Sequence, residues 1–282
     1  MAKTCLVTGA SRGLGFEIAR SLLAAGHNVV ATARSPDGQA ERLSGGDRVL
    51  AVALDVTDAA SVAGAVDAAI ERFGGIDVLV NNAGHAQLGY FEMTREADIR
   101  REFDVNLFGP MAVTRAVLPH MRERHSGLIV TISSSSGISS DPGGATYASS
   151  KFALEGWIEG LAQELEPLGI KSLTINPGML NTDFLDNSSV KHGDIEIADY
   201  TEAAAQFRSF IEDVNHKQPG DPKVLAAQIA EFVISPSPPA RLVFGDDAHE
   251  AIGRKIGRLS EQLDQSADAA GQATPERVGK NA

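Results

Sequence analysis

Cysteine is almost absent. The chain of 282 residues has only Cys5, which excludes an internal disulfide and any cysteine cage for a metal. Within an apolar run, Cys5 reads as a small core residue. Basic charge is also scarce: 25 Lys and Arg stand against 37 Asp and Glu, for a formal charge of −12. That balance argues against nucleic acid and against an anionic membrane surface as partners. No apolar run approaches the roughly 18 residues of a membrane span. Patterned sequence begins at once with Lys3-Thr4-Cys5-Leu6-Val7-Thr8, so no secretory leader is expected and a cytoplasmic, reducing location is. His27, His85, His120, His125, His192, His216 and His249 are scattered without metal-ligand spacing, so no metal is expected.

What is present is alternation. Short apolar runs read as strands at Thr4–Thr8, Asn28–Thr32, Val49–Leu54, Ile76–Val80, Gly127–Ile132, Lys171–Ile175 and Arg241–Phe244. Helical periodicity separates them at Leu14–Ala25, Asp58–Phe73, Thr94–Arg124, Thr146–Glu166 and Asp221–Ile234. Strands divided by helices pair in parallel through right-handed crossovers. The pattern predicts an α/β fold: a doubly wound, Rossmann-type parallel sheet of seven strands in a single domain over residues 1–263. Thr182–Gly220 carries no strand signal and is expected to form a helical lid over a cleft. Residues 264–282 have almost no large apolar side chains and are expected to be a disordered tail.

The first strand runs into Thr8-Gly9-Ala10-Ser11-Arg12-Gly13-Leu14-Gly15 and then directly into a helix. Glycines there let backbone approach a pyrophosphate, and the helix N-terminus meets its charge. Gly9, Ser11, Arg12, Gly13, Leu14 and Gly15 are therefore candidate dinucleotide contacts. At the end of the second strand, where an acidic residue would hold the ribose of NAD, the chain has Ala33-Arg34. Arg12 and Arg34 suit a 2′-phosphate, so NADP(H) is the expected cofactor. Asp55-Val56 and Asn81-Asn82-Ala83-Gly84 end the third and fourth strands, where a ligand of such a sheet lies. Asp55, Val56, Asn82, Ala83 and Gly84 join the candidate list.

The glycine loop, Asn81-Asn82-Ala83-Gly84 and Tyr147-Ala148-Ser149-Ser150-Lys151 together resemble the short-chain dehydrogenase/reductase family, over about residues 3–245 in the expected order. Pro177-Gly178-Met179-Leu180-Asn181-Thr182 resembles that family's nicotinamide-contacting segment, which adds Pro177, Gly178 and Thr182 to the cofactor residues. The resemblance implies a catalytic set of Asn106, Ser134, Tyr147 and Lys151, with Tyr147 and Lys151 also touching the cofactor. Ser134 is chosen from the run Ser133 to Ser136 by its separation from Tyr147; Ser133 and Ser135 stay as alternatives.

Tyr147 and Lys151, four apart, project from one helix face. A neighbouring ammonium favours phenolate, which would bring Tyr147 down towards neutrality. Tyr147 would then exchange a proton with a carbonyl oxygen while hydride moves to or from nicotinamide, and Ser134 would hold the same oxygen. By resemblance, Asn106 would hold a water that resupplies protons to Lys151. The expected substrate is a lipophilic ketone, aldehyde or alcohol, walled by Leu88, Tyr90, Phe91, Met179, Leu180, Phe184 and Leu185, with His85 at its border. The chain loosely resembles the carbonyl-reductase and steroid-type branch of the family. The helices Thr94–Arg124 and Thr146–Glu166 resemble the family's subunit-pairing helices, which implies a homodimer or homotetramer. A dehydratase or epimerase on the same scaffold, and a non-catalytic NADP(H) sensor, are the alternative readings.

Overall fold

The computed structural model describes residues 2–270. In chain order the elements are β1 (Thr4–Val7), α1 (Gly13–Ala24), β2 (Asn28–Ala33), α2 (Gln39–Leu43), β3 (Val49–Ala53), α3 (Ala59–Phe73), β4 (Val78–Asn81), β5 (Ala86–Leu88) and α4 (Glu96–Phe103). They continue with α5 (Gly109–Glu123), β6 (Gly127–Ile132), α6 (Ala145–Leu165), β7 (Ile170–Pro177), β8 (Val190–His192), α7 (Thr201–Val214), α8 (Pro222–Ile234), β9 (Arg241–Phe244) and α9 (Asp246–Ala270). Seven strands form one parallel sheet in the order β3-β2-β1-β4-β6-β7-β9, as the alternation predicts.

Successive strand residues face opposite sides of the sheet, and the core divides accordingly. Cys5, Val7, Val29, Ala31 and Val80 pack against Ile18 and Leu22 of α1 and Leu225 and Ile229 of α8. Leu6, Val30, Leu79 and Ile129 pack on the other side against Val66 of α3, Val117 and Met121 of α5 and Ile158 of α6. Local chemistry sets the helix ends. The Asp58 carboxylate accepts from the Ala60 and Ser61 amides to start α3, and Gly74, with φ of 80°, ends it. Asp221 accepts from the Lys223 amide, with Pro222 in the first turn of α8.

Several expectations are corrected. The helix read over Thr94–Arg124 is broken by a π-helical turn at Asp104–Phe108, where Gly109 lets the chain press on Val56. The lid carries a strand after all: β8 pairs in parallel with β5, three residues each, too short to show a period. The seven residues 264–270, expected within a tail, continue α9; the rest of that segment lies outside the described residues. Among the described residues, no helix is long and apolar enough to cross a membrane.

Candidate active site

β1 has β2 on one side and β4 on the other, so the chain reverses direction across the sheet at β1, and a crevice opens beyond the strand ends there. The glycine loop fills its rim. Gly9 has φ of 67°, and a Cβ on it would come within 3.0 Å of Ala83 Cα. A Cβ on Gly15 would overlap the Asn82 amide and the Gly9 carbonyl. Asn82 Nδ2 donates to Thr8 O at 2.9 Å and Gly9 O at 3.2 Å, while the Thr8 hydroxyl accepts from the Asn82 and Ala83 amides at 2.9 and 3.0 Å. Loop and strand end are thus stapled together. Arg12, at the start of α1, makes no side-chain cap, so the first amides of that helix carry no capping partner from it. A glycine cradle facing bare helix amides fits a dinucleotide pyrophosphate.

Tyr147 lies in the first turns of α6, and Lys151 follows one turn on, buried, with Nζ donating to Ile132 O at 3.0 Å. The Ser134 hydroxyl lies near enough to the Tyr147 phenol to favour its ionised form, and accepts from the Ser136 amide at 3.0 Å. Of the serine run, Ser134 is the one that acts on the phenol. The electrostatics differ from the expectation. Burial pushes the Tyr147 phenol up, the Ser134 bond opposes the rise, and the charge of Glu102 adds to it. Burial brings Lys151 down to about 8, against the upward pull of Glu102 and Glu155. Burial thus sets the direction for both groups, and the phenol is pushed up rather than drawn towards neutrality.

Asn106 falls in the π turn. Its Nδ2 donates to His85 O at 2.9 Å, Glu102 Oε1 at 2.8 Å and Ser150 Oγ at 3.1 Å, and its Oδ1 accepts from the His85 amide at 3.1 Å. The side chain clamps the segment after Gly84 to α6. Three residues outside the sequence reading complete the scaffold. Glu102 is fully buried beside Asn106. Glu155 accepts from Asn176 Nδ2 at 2.6 Å and pairs with Arg241 at 2.7 Å, while Asn176 Nδ2 also holds the Ser134 carbonyl at 2.9 Å. Spacing offered a signal: Glu102 precedes Asn106 by four, and Glu155 follows Lys151 by four, on the same helix faces.

The remaining candidates line the crevice unevenly. Arg34 is exposed at the end of β2. Asp55 is held low, chiefly by the Thr57 amide and hydroxyl bonds, with Arg34 among the weaker causes. Asp247 of α9 accepts from the Met179 amide at 2.7 Å and leaves no space for a Cβ on Gly178, so the segment after Pro177 is pinned from the far end of the chain. A Cβ on Gly13 would stand 3.5 Å from Thr182 Cβ, which brings that segment to the glycine loop. Arg12 turns to the lid, donating to Ser188 Oγ at 2.6 Å and Ser189 Oγ at 2.8 Å.

Leu88, Val190 and Ile211 form a small apolar cluster with Tyr147, Phe184, Leu185 and Phe207. The expected wall is corrected in part: Phe91 is 61% exposed, and Leu180 packs on the main core. His85 turns its ring to Glu102, 3.2 Å away. Asp183, Asp186 and His216 gather within 4.8 Å on the lid, but Asp186 Oδ1 already takes Asn215 at 2.8 Å and His216 at 3.0 Å. That corner is a hydrogen-bonded turn and carries no metal assignment.

Known proteins resemble this chain in sequence and fold. The sequence profile described as short chain dehydrogenase matches residues 3–192. Oxidoreductase BOA17 of Botryotinia fuckeliana is 37% identical over 92% of the chain and 95% of the relative. The 3-ketodihydrosphingosine reductase of Bacteroides thetaiotaomicron is 36% identical over 93% and 95%. A short-chain dehydrogenase from Streptomyces avermitilis superimposes with a TM-score of 0.88 at 37% identity, over 97% of this chain and all of the other. Two more distant structures hold cofactors. An alcohol dehydrogenase from Thermococcus sibiricus, complexed with 5-hydroxy-NADP, has a TM-score of 0.72 at 26% identity over 86% and 96%. A 3-ketoacyl-(acyl-carrier-protein) reductase from Brucella melitensis, complexed with NADH, has a TM-score of 0.72 at 27% identity over 89% and 98%.

Proposed function

Because the chain belongs to the short-chain dehydrogenase family, we propose that this oxidoreductase interconverts a lipophilic ketone or aldehyde and its alcohol, with NADP(H) as cofactor and Tyr147 as the acid–base residue. The observation that carries the reading is the buried Lys151, one turn after Tyr147 and bonded to the Ile132 carbonyl at 3.0 Å, in a chain whose glycine loop closes on Asn82 and Ala83. A bound nicotinamide supplies or accepts the hydride. Gly9, Ser11, Gly13, Leu14 and Gly15 would hold the pyrophosphate, and Asp55, Val56, Asn82, Ala83 and Gly84 the adenine and ribose edge. Pro177, Gly178 and Thr182 would border the nicotinamide.

In reduction the Tyr147 hydroxyl donates its proton to the carbonyl oxygen, and the Ser134 hydroxyl donates a hydrogen bond to the same oxygen as its charge develops. Lys151 would hold the nicotinamide ribose and return a proton towards Tyr147. Asn106 fixes the backbone beside Gly84 and so the floor of the site. Arg34, next to Ala33, favours a 2′-phosphate over the bare ribose of NAD. A lipophilic substrate accords with the cluster of Leu88, Val190, Phe184, Leu185 and Phe207 beside Tyr147, and with a relative that is a 3-ketodihydrosphingosine reductase. Pairing of two subunits through α5 and α6 completes the proposal.

Oxidation of NADPH, with NADH in parallel, against a panel of long-chain and cyclic ketones and aldehydes tests it. Turnover that prefers NADPH is expected. An Arg34→Asp variant should raise the KM for NADPH at least about tenfold and spare NADH, since a charge-assisted bond contributes roughly 1.5–3 kcal/mol. Equal losses with both cofactors would remove the arginine from the 2′-phosphate.

A further inference from the structure

Glu102 has no exposed surface. Its Oε2 accepts from the Gln87 amide at 3.0 Å and its Oε1 from Asn106 Nδ2 at 2.8 Å; Ser150 Oγ lies 3.2 Å from Oε1, sharing its single proton with Tyr147 O at 2.8 Å. A carboxylate so removed from water is costly unless it is bonded and faces opposite charge. Among the described residues no Lys or Arg is within ion-pair distance of it, and the nearest titratable partner is His85 Nε2, 3.2 Å from Oε2. The His85 side chain is 17% exposed, so it is the partner that gives this buried acid a face to solvent. The cation whose charge reaches Glu102 is Lys151. None of the hydride chemistry described above uses this acid, yet it holds two residues of the site and faces a third.

We propose that Glu102 is a positioning residue of the active site: its buried carboxylate fixes Asn106 and the Gln87 backbone, lies against Ser150 of the helix that carries Tyr147 and Lys151, and presents its negative charge to that pair, with His85 between it and solvent. The inference rests on Tyr147 and Lys151 being the acid–base pair. The signs agree for the two groups. A negative charge favours the ammonium of Lys151 and disfavours the phenolate of Tyr147, and Glu102 acts on both in that direction. Burial brings Glu102 itself up to about 7, with Lys151, the Gln87 amide and Ser150 pulling it back. Burial brings His85 down to about 4, helped by the charges of Arg101, Arg34, Lys151 and Lys191. At neutral pH the imidazole is thus neutral, with its Nε2 3.2 Å from Glu102 Oε2.

The test follows the titration of Lys151 in the full chain by NMR of 13Cε-labelled lysine, the Lys151 signal being identified by its loss in Lys151→Met. In Glu102→Gln, which keeps the side-chain shape and removes the charge, Lys151 should release its proton about one pH unit lower. The alkaline limb of carbonyl reduction should move down by a similar amount. His85→Ala, which lets water in beside the carboxylate and so screens its charge, should move Lys151 in the same direction by less, and decides the matter if Glu102→Gln does not fold. A Lys151 titration unchanged in these variants overturns the proposal, whatever happens to turnover. The titration needs no substrate, so a wild-type enzyme silent on every carbonyl, with Lys151 still shifted, would discredit the substrate reading and support the role of Glu102.

Discussion

At the residue scale, the contest between desolvation and charge decides how Tyr147 and Lys151 behave. Spacing alone places them on one helix face, and the ammonium then looks able to draw the phenol towards neutrality. In the folded chain Lys151 is buried and Tyr147 half-buried, and desolvation wins for each: the phenol rises and the ammonium falls to about 8. Lys151 is therefore charged below that value and loses its proton above it. Carbonyl reduction should hold up to about pH 8 and decline as Lys151 deprotonates, measured as turnover at saturating cofactor across pH. Lys151→Arg, which cannot deprotonate in this range, should flatten that limb even as it lowers the rate. An unchanged limb would assign the decline to another group. Glu102 and Glu155 escaped the sequence reading for a plain reason: a carboxylate on a helix usually marks a solvated face. Only tertiary packing reveals that Asn106 and Ser150 enclose one and Asn176 and Arg241 the other.

At the scale of elements, the seven main strands were legible because each is an apolar run bounded by turn residues. Their edges moved by only a few positions, as from Ile76–Val80 to Val78–Asn81. What the pattern could not show were features shorter than a period. The π turn at Asp104–Phe108 hides inside a helical repeat, and β5 and β8 have three residues each. Those two strands matter for the lid, because their pairing fixes one side of the segment 182–220. Its ends are clipped together by the Asn181 amide on Gly220 O at 2.8 Å and the Gly220 amide on Met179 O at 3.0 Å. Arg12 adds a tie from the glycine loop to Ser188 and Ser189. Removing it should loosen that stretch. Arg12→Ala is expected to speed amide exchange over residues 186–193, with the strands of the main sheet unaffected. Equal exchange in both proteins would show that β5–β8 pairing alone holds the lid.

At the scale of the whole molecule, distant parts of the chain converge on one crevice. Residues near the start make the cradle, α6 brings Tyr147 and Lys151, and Asp247 of α9 pins the segment after Pro177. The order of motifs along the sequence made the family resemblance readable, and the matches over 92–97% of the chain agree with it. The contribution of α9 had no such motif, since a carboxylate bonding a loop amide leaves no trace in periodicity. The account stands or falls on proton transfer by Tyr147. Its most direct test compares Tyr147→Phe with the wild-type protein, reading NADPH binding by fluorescence and carbonyl reduction by NADPH consumption. Binding within about twofold and turnover lowered by about 10² to 10⁴, the usual contribution of a positioned acid, is the predicted result. Near-normal turnover by the phenylalanine variant would contradict the account.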